Sequence, residues 1–157
     1  MRLVRSDERS LRFDGEIFSL KGMRPGPHPD HDIGIWVGAY GPRMLGLIGR
    51  LADGWVPSYG YTSPERLPEM QRRIDEGAER AGRKLQDIRR AYNVSGKIGK
   101  EGDKPLDGPP SKWVETLTGF ALEQGMDTFI FWPSEDHERQ TETFANEVVP
   151  AVRETVR

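Results

Sequence analysis

Ile35-Trp36-Val37-Gly38-Ala39-Tyr40-Gly41-Pro42-Arg43-Met44-Leu45-Gly46-Leu47-Ile48-Gly49-Arg50-Leu51-Ala52-Asp53-Gly54-Trp55 reads as a buried strand, a glycine turn, a helix and the start of a second strand. Ile35, Trp36 and Val37 form a short apolar run without alternation, the pattern of a parallel strand covered on both faces. Gly38 and Gly41 permit a tight turn. Pro42 stands where a helix takes its first residue, because its fixed φ suits that position and its missing N–H has no partner there anyway. The spare N–H groups and the positive end of the helix dipole then point to the space above the strand, and Arg43 brings a full charge to the same place. Such a turn is either an ordinary strand-to-helix connection or a seat for an anion, and a phosphate suits it.

Working outward, Met44, Leu47, Ile48 and Leu51 recur at helical spacing and predict one inward apolar stripe. Gly46 and Gly49 weaken an isolated helix, so they predict close approach of this helix to a strand. Trp55 to Ser58 is the next strand. Ser63 and Pro64 predict a capped helix that buries Leu67, Met70, Ile74 and Ala78 and stops at Gly82. From Ile88 to Ile98 the chain alternates, with Tyr92, Val94 and Ile98 on one side and Asn93, Ser95 and Lys97 on the other, as in a strand with one polar face. Residues 99–110 read as a flexible loop or an unpacked excursion. Ser111 predicts a capped helix with Trp113, Leu117, Phe120 and Ala121 inward, closed by Gly125. Thr128 to Trp132 is the last buried strand, and Asp136 to Val156 is helical with Phe144, Val148 and Val152 inward and Pro150 kinking or restarting it.

Upstream of the quoted stretch, Met1 to Ser6 reads as the tail of a helix, Leu11 to Leu20 as a hairpin turning at Asp14-Gly15, and Gly22 to Gly34 as a loop. The four strands, near 35–38, 55–58, 90–97 and 128–132, each followed by a helix or helical loop, predict an α/β fold of (β/α) units in a single domain over 1–157.

The strand-turn-helix with Gly38-Ala39-Tyr40-Gly41-Pro42-Arg43 and the helix end Ala52-Asp53-Gly54-Trp55 resembles the bacterial luciferase-like flavin oxidoreductases, which are TIM barrels that use FMN or a deazaflavin coenzyme. Phe13-Asp14-Gly15-Glu16-Ile17-Phe18 is similar to that family's hairpin insertion, and Gly125-Met126-Asp127-Thr128-Phe129-Ile130-Phe131-Trp132-Pro133 to its last barrel strand. A full barrel needs about 250 residues, and the chain has 157. The resemblance therefore implies the C-terminal half of such a barrel, strands five to eight, with an N-terminal hairpin insertion. It implies that Gly38, Ala39, Tyr40, Gly41, Pro42 and Arg43 hold the cofactor phosphate, through the N–H groups of Ala39, Tyr40 and Gly41 and the charge of Arg43. Tyr40 either flanks that phosphate or closes over the ring edge. Trp132 either lines the flavin or substrate pocket or belongs to the core.

Composition narrows the field of partners. Twenty-three basic against 25 acidic residues leave a net charge of −2 with both signs dispersed, which speaks against nucleic acid. There is no cysteine, so neither disulfides nor thiolate chemistry enter. The charged start at 1–10 does not resemble a signal peptide, and no apolar run suits a membrane helix; a cytoplasmic location is expected. His28-Pro29-Asp30-His31-Asp32 lacks metal-ligand spacing and reads as a solvated loop, His137 as a surface residue, and Trp55 and Trp113 as core. No acid, base or nucleophile stands out, which suits a protein whose cofactor carries the reaction. Three readings follow: a flavin oxidoreductase that obtains its other half from a second copy, another chain or a longer parent protein of which this is a piece, a non-catalytic flavin-binding module, and a structural half-barrel that dimerises.

Overall fold

The computed structural model describes residues 6, 8–24, 26–27 and 29–157. The expected helix tail at 1–6, apart from Ser6, and His28 lie outside the described residues. The chain divides into two compact units, Met1–Ile35 and Trp36–Arg157.

The first unit is a hairpin. β1 (Leu11–Asp14) pairs antiparallel with β2 (Ser19–Met23), with Phe13 opposite Leu20. The turn closes where Gly15 donates its N–H to Phe18 O at 3.0 Å. β2 runs two residues into the segment expected as loop, because Gly22, at φ +74°, bends the strand without ending it.

The second unit is a parallel sheet with helices against it. β3 (Trp36–Val37), β4 (Gly54–Trp55), β5 (Arg89–Ile98) and β7 (Thr128–Pro133) lie side by side, β4 and β7 on opposite edges of β5. β6 (Asp107–Gly108) pairs with the upper end of β5. α1 (Pro42–Leu51) follows β3, α2 (Leu67–Arg80) follows β4 after a 3-10 turn at Pro64–Arg66, and α3 (Pro110–Leu122) follows β6. After β7 come α4 (His137–Thr143), a π turn (Phe144–Val148) and α5 (Val149–Thr155). This is the alternation that gives right-handed parallel units, and the barrel is not closed.

Side chains alternate across each strand. Trp55, Tyr92 and Val94 turn to the helices and are buried with Ile48, Leu67, Ile74, Trp113 and Leu117. Both tryptophans expected in the core, Trp55 and Trp113, are 0% exposed. On the opposite face, paired residues place Trp36 beside Gly54, Asn93 beside Ile130 and Ser95 beside Trp132. Trp36 and Trp132 are 41% and 58% exposed there.

Three local expectations need correction. α1 buries Leu45, Ile48 and Gly49, while Met44, Leu47 and Leu51 are exposed. The reason is that its two glycines meet α2 and not a strand: a Cβ on Gly49 would lie 2.0 Å from Ile74 O, and one on Gly77 2.5 Å from Gly46 O. Neither Ser63 nor Ser111 caps a helix through its side chain; Pro64 and Pro109-Pro110 begin these elements with backbone geometry alone. Residues 99–110 are not an unpacked excursion, since Leu106 is buried and β6 extends the sheet. Pro150, by contrast, restarts the last helix as expected: α5 begins at Val149 with the proline in its first turn, after the π turn at Phe144–Val148.

The N-terminal ends of the strands are tied by charge. Arg90 is buried and pairs with Asp75, its backbone N–H donates to Asp127 Oδ2 at 2.8 Å, and Arg89 lies 3.9 Å from the same residue's Oδ1. Burial pulls the pKa of Arg90 below the usual arginine value, against the pull of Asp75 and Asp127.

Candidate functional site

At the opposite, C-terminal ends of the strands, residues 38–41 bring the chain from β3 to α1. Gly41 is the helix N-cap, in extended conformation at φ −80° and ψ 145°, with no side chain capping the helix. Among the described residues no group accepts from the backbone N–H groups of Ala39, Tyr40 or Gly41. The first turn of α1 carries no acidic residue. Arg43 is exposed and has no carboxylate partner among the described residues. A Cβ on Gly41 would meet nothing within 4 Å, so this turn faces open space. Free donors at a ten-residue helix start, with an unpaired cation beside them, suit a phosphate.

The turn is held from both sides. Trp55 Nε1 donates to Ala39 O at 2.9 Å, which uses the only polar atom of a buried indole to fix the loop. Tyr40 leans to the loop after β4, where its hydroxyl accepts from Ser58 N–H at 3.2 Å and its ring lies 6.1 Å from that of Tyr61. Tyr40 thus bridges two loops, a role that its sequence position did not suggest.

Beyond that bridge lies a cleft of ≈ 300 Å³ lined by Ser58, Gly60, Tyr61, Asn93, Ser95 and Trp132. Asn93 Nδ2 donates to Ser58 Oγ at 3.1 Å, and Trp132 Nε1 donates to Asn93 Oδ1 at 3.0 Å. One amide thus orients both a hydroxyl and an indole. Trp132 stands in the cleft wall and is not core. Further along β5, Lys97 Nζ lies 2.8 Å from Glu135 Oε1, and the hydrogen bond to that carboxylate raises the lysine pKa. His31 and His137, by contrast, are exposed and lie outside this cleft.

Sequence reasoning did not assign Ser58 or Asn93 to the site. The signal was the polar face of the strand at Asn93, Ser95 and Lys97: in a parallel strand flanked by others, polar side chains at the C-terminal end line the usual position of a ligand.

The fold defines a parallel (β/α) protein of the barrel type, with unpaired backbone N–H groups at the helix start that follows one of its strands. The chain belongs to the luciferase-like monooxygenase family, whose model matches residues 1–100. It is 30% identical over 99 residues to the 5,10-methylenetetrahydromethanopterin reductase of Archaeoglobus fulgidus, covering 63% of this chain and 29% of that protein. It is 32% identical over 94 residues to the F420-dependent glucose-6-phosphate dehydrogenase of Mycolicibacterium fortuitum, covering 60% and 27%. The chain thus spans under a third of the length of these relatives. Among solved structures, an F420-dependent secondary alcohol dehydrogenase in complex with an F420-acetone adduct superposes at a TM-score of 0.80 with 17% identity, covering 97% of this chain and 58% of that one. At that identity the likeness speaks for the fold.

Proposed function

We propose that the chain is the phosphate-anchoring half of a luciferase-like oxidoreductase that uses FMN or a deazaflavin coenzyme. The observation that carries this reading is the trio of free N–H groups at Ala39, Tyr40 and Gly41 beside the unpaired Arg43. Those groups donate to the coenzyme phosphate and Arg43 neutralises it. Of the two coenzymes, the F420-dependent relatives favour the deazaflavin. Trp132 and Asn93 form one wall for the ring or the substrate, and Tyr40 ties the phosphate loop to that wall. When bound, the coenzyme ring supplies the hydride or oxygen chemistry, while the protein supplies position and electrostatics. The remaining wall comes from a second four-stranded half, in a longer parent protein, a second copy or another chain.

Replacing Arg43 by alanine is expected to weaken FMN by about tenfold or more, as a charged hydrogen bond contributes about 1.5–3 kcal/mol, and to leave riboflavin, which has no phosphate, unchanged. Fluorescence titration with FMN, riboflavin and the phosphate-bearing deazaflavin measures this. Equal losses for riboflavin and FMN would refute the anion seat.

A second expectation concerns rate. With one face of its sheet exposed, a monomeric chain leaves the ring open to water, whereas such reactions need a closed site. Stopped-flow reduction of bound coenzyme by monomeric protein should be slow or absent, and turnover at the rate of a full barrel would contradict the proposal.

A further inference from the structure

We infer that the wall built by Ser58, Asn93 and Trp132 seats an uncharged carbonyl compound, whose oxygen accepts from the Ser58 hydroxyl and whose body lies against the Trp132 indole. The inference rests on the half-pocket reading above and gives this wall to the substrate, with Asn93 as the positioning residue that aims the hydroxyl.

The first ground is the direction of the hydrogen bonds. An indole N–H can only donate, so the 3.0 Å bond from Trp132 Nε1 turns Oδ1 of Asn93 to the tryptophan and its amide nitrogen to Ser58. That nitrogen gives one proton to Ser58 Oγ at 3.1 Å. The serine oxygen is thereby an acceptor in the relay, and its own proton points elsewhere. Among the described residues neither Ser58 Oγ nor Asn93 Nδ2 has a further partner. The relay ends in an O–H donor, and a donor recognises an acceptor oxygen.

The backbone under this donor is fixed on every side. Ser58 O accepts from the N–H groups of Tyr61 and Thr62 at 2.9 and 3.1 Å, and Ser58 N–H donates to Tyr40 Oη at 3.2 Å. Asn93 N–H donates to Pro57 O, and Asn93 O accepts from Tyr59 N–H, both at 2.9 Å. A group held in this way loses little freedom when it binds.

The second ground is charge. The six residues that line the ≈ 300 Å³ cleft include no Asp, Glu, Lys, Arg or His. Lys97, two residues beyond Ser95 on β5, is already matched by Glu135 at 2.8 Å. A carboxylate or phosphate placed on this wall would lose water without gaining a counter-charge, so the fitting acceptor is neutral. Trp132 and Tyr61 are exposed and add flat apolar surface, which suits the hydrocarbon body of such a molecule. The volume is at the low end for small-molecule sites and suits a single ring.

Isotope-labelled protein, with its four tryptophans, gives four indole N–H signals in a nitrogen–proton correlation spectrum, and Trp132→Phe identifies that of Trp132. Without coenzyme, cyclohexanone at millimolar concentration should move the Trp132 signal, and cyclohexanecarboxylate at the same concentration should not. Ser58→Ala should weaken cyclohexanone by about three- to tenfold, the usual effect of one neutral hydrogen bond. Asn93→Asp tests the aiming. Its carboxylate still accepts from Trp132 Nε1, so the indole signal should keep its hydrogen-bonded position, but it also draws the Ser58 proton away from the cleft. Binding should fall as in Ser58→Ala, and the double variant should fall no further. Equal binding of ketone and carboxylate, an unmoved Trp132 signal, or wild-type affinity in Ser58→Ala or Asn93→Asp overturns the inference. So does a loss for riboflavin and not for cyclohexanone in these variants, which would put the coenzyme ring in the cleft. The ketone titration is made without coenzyme, so failure of FMN to bind would refute the anion seat and leave this result standing.

Discussion

Gly49→Ala is expected to destabilise the protein by about 3 kcal/mol, although the same change on an exposed helix stabilises it by about 1 kcal/mol. The sign reverses because the new methyl has no room. It would stand 2.0 Å from Ile74 O and 2.7 Å from Ala78 N, both backbone atoms of α2 that cannot rotate away. The helices must separate instead, which loosens Ile48 against Ile74 and Ala78 in the centre of the core. A fall in thermal midpoint of about 10 °C follows from the usual scaling for a chain of this size. Gly46→Ala is the control: a Cβ there meets nothing within 4 Å, so its midpoint should hold or rise. Equal behaviour of the two variants in a thermal melt would show that α1 and α2 are not in backbone contact.

Gln140→Leu should cost a similar amount, about 3 kcal/mol, by leaving two buried backbone groups unpaired. Gln140 is 1% exposed, and its amide clamps Ile98 from both sides: Oε1 accepts from Ile98 N at 2.7 Å and Nε2 donates to Ile98 O at 2.8 Å. Leucine has the volume but neither partner. Since Ile98 also carries the pairing with β6, the loss should spread to Leu106 and the segment around it. Urea denaturation reads this as a lower midpoint at an unchanged slope. Gln140→Glu, which keeps an acceptor for Ile98 N but loses the donor, should fall further than wild type whenever the carboxyl is ionised; a midpoint equal to wild type would mean that water replaces the clamp.

The parts of the fold that were legible in the sequence are those that a period or a fixed φ dictates. Leu67, Met70, Ile74 and Ala78 are buried as their spacing predicts, and Gly82 and Gly125, at φ +66° and +65°, end their helices as glycine does. The stripe of α1 was misread because hydrophobicity is not what turns that helix. Glycine allows backbone to approach backbone, and the close approach of Gly49 to α2 leaves Met44 and Leu47 outside. Leu106 was missed because one apolar residue in a run of glycine, proline and charge carries no period. The strand-to-helix turn at Gly38–Arg43 could be read from the order of glycine, proline and arginine, whereas the Ser58–Asn93–Trp132 relay joins the loop after β4 to two strands far from it in sequence. Only the register of the sheet brings them together.

The two ends of the sheet also differ in what they leave free to change. At the N-terminal ends, Arg89, Arg90, Asp75 and Asp127 are bound to one another, and a substitution at any of them strands a partner. At the C-terminal ends, Tyr61 and Ser95 are exposed, and the Tyr61 side chain touches the loop beside it only through its ring contact with Tyr40. Mutations there alter the shape of the cleft with little penalty in folding. The shape of the upper rim can therefore be changed by substitution at little cost to folding, while the lower rim cannot, so that the two ends of one sheet divide adaptability from stability.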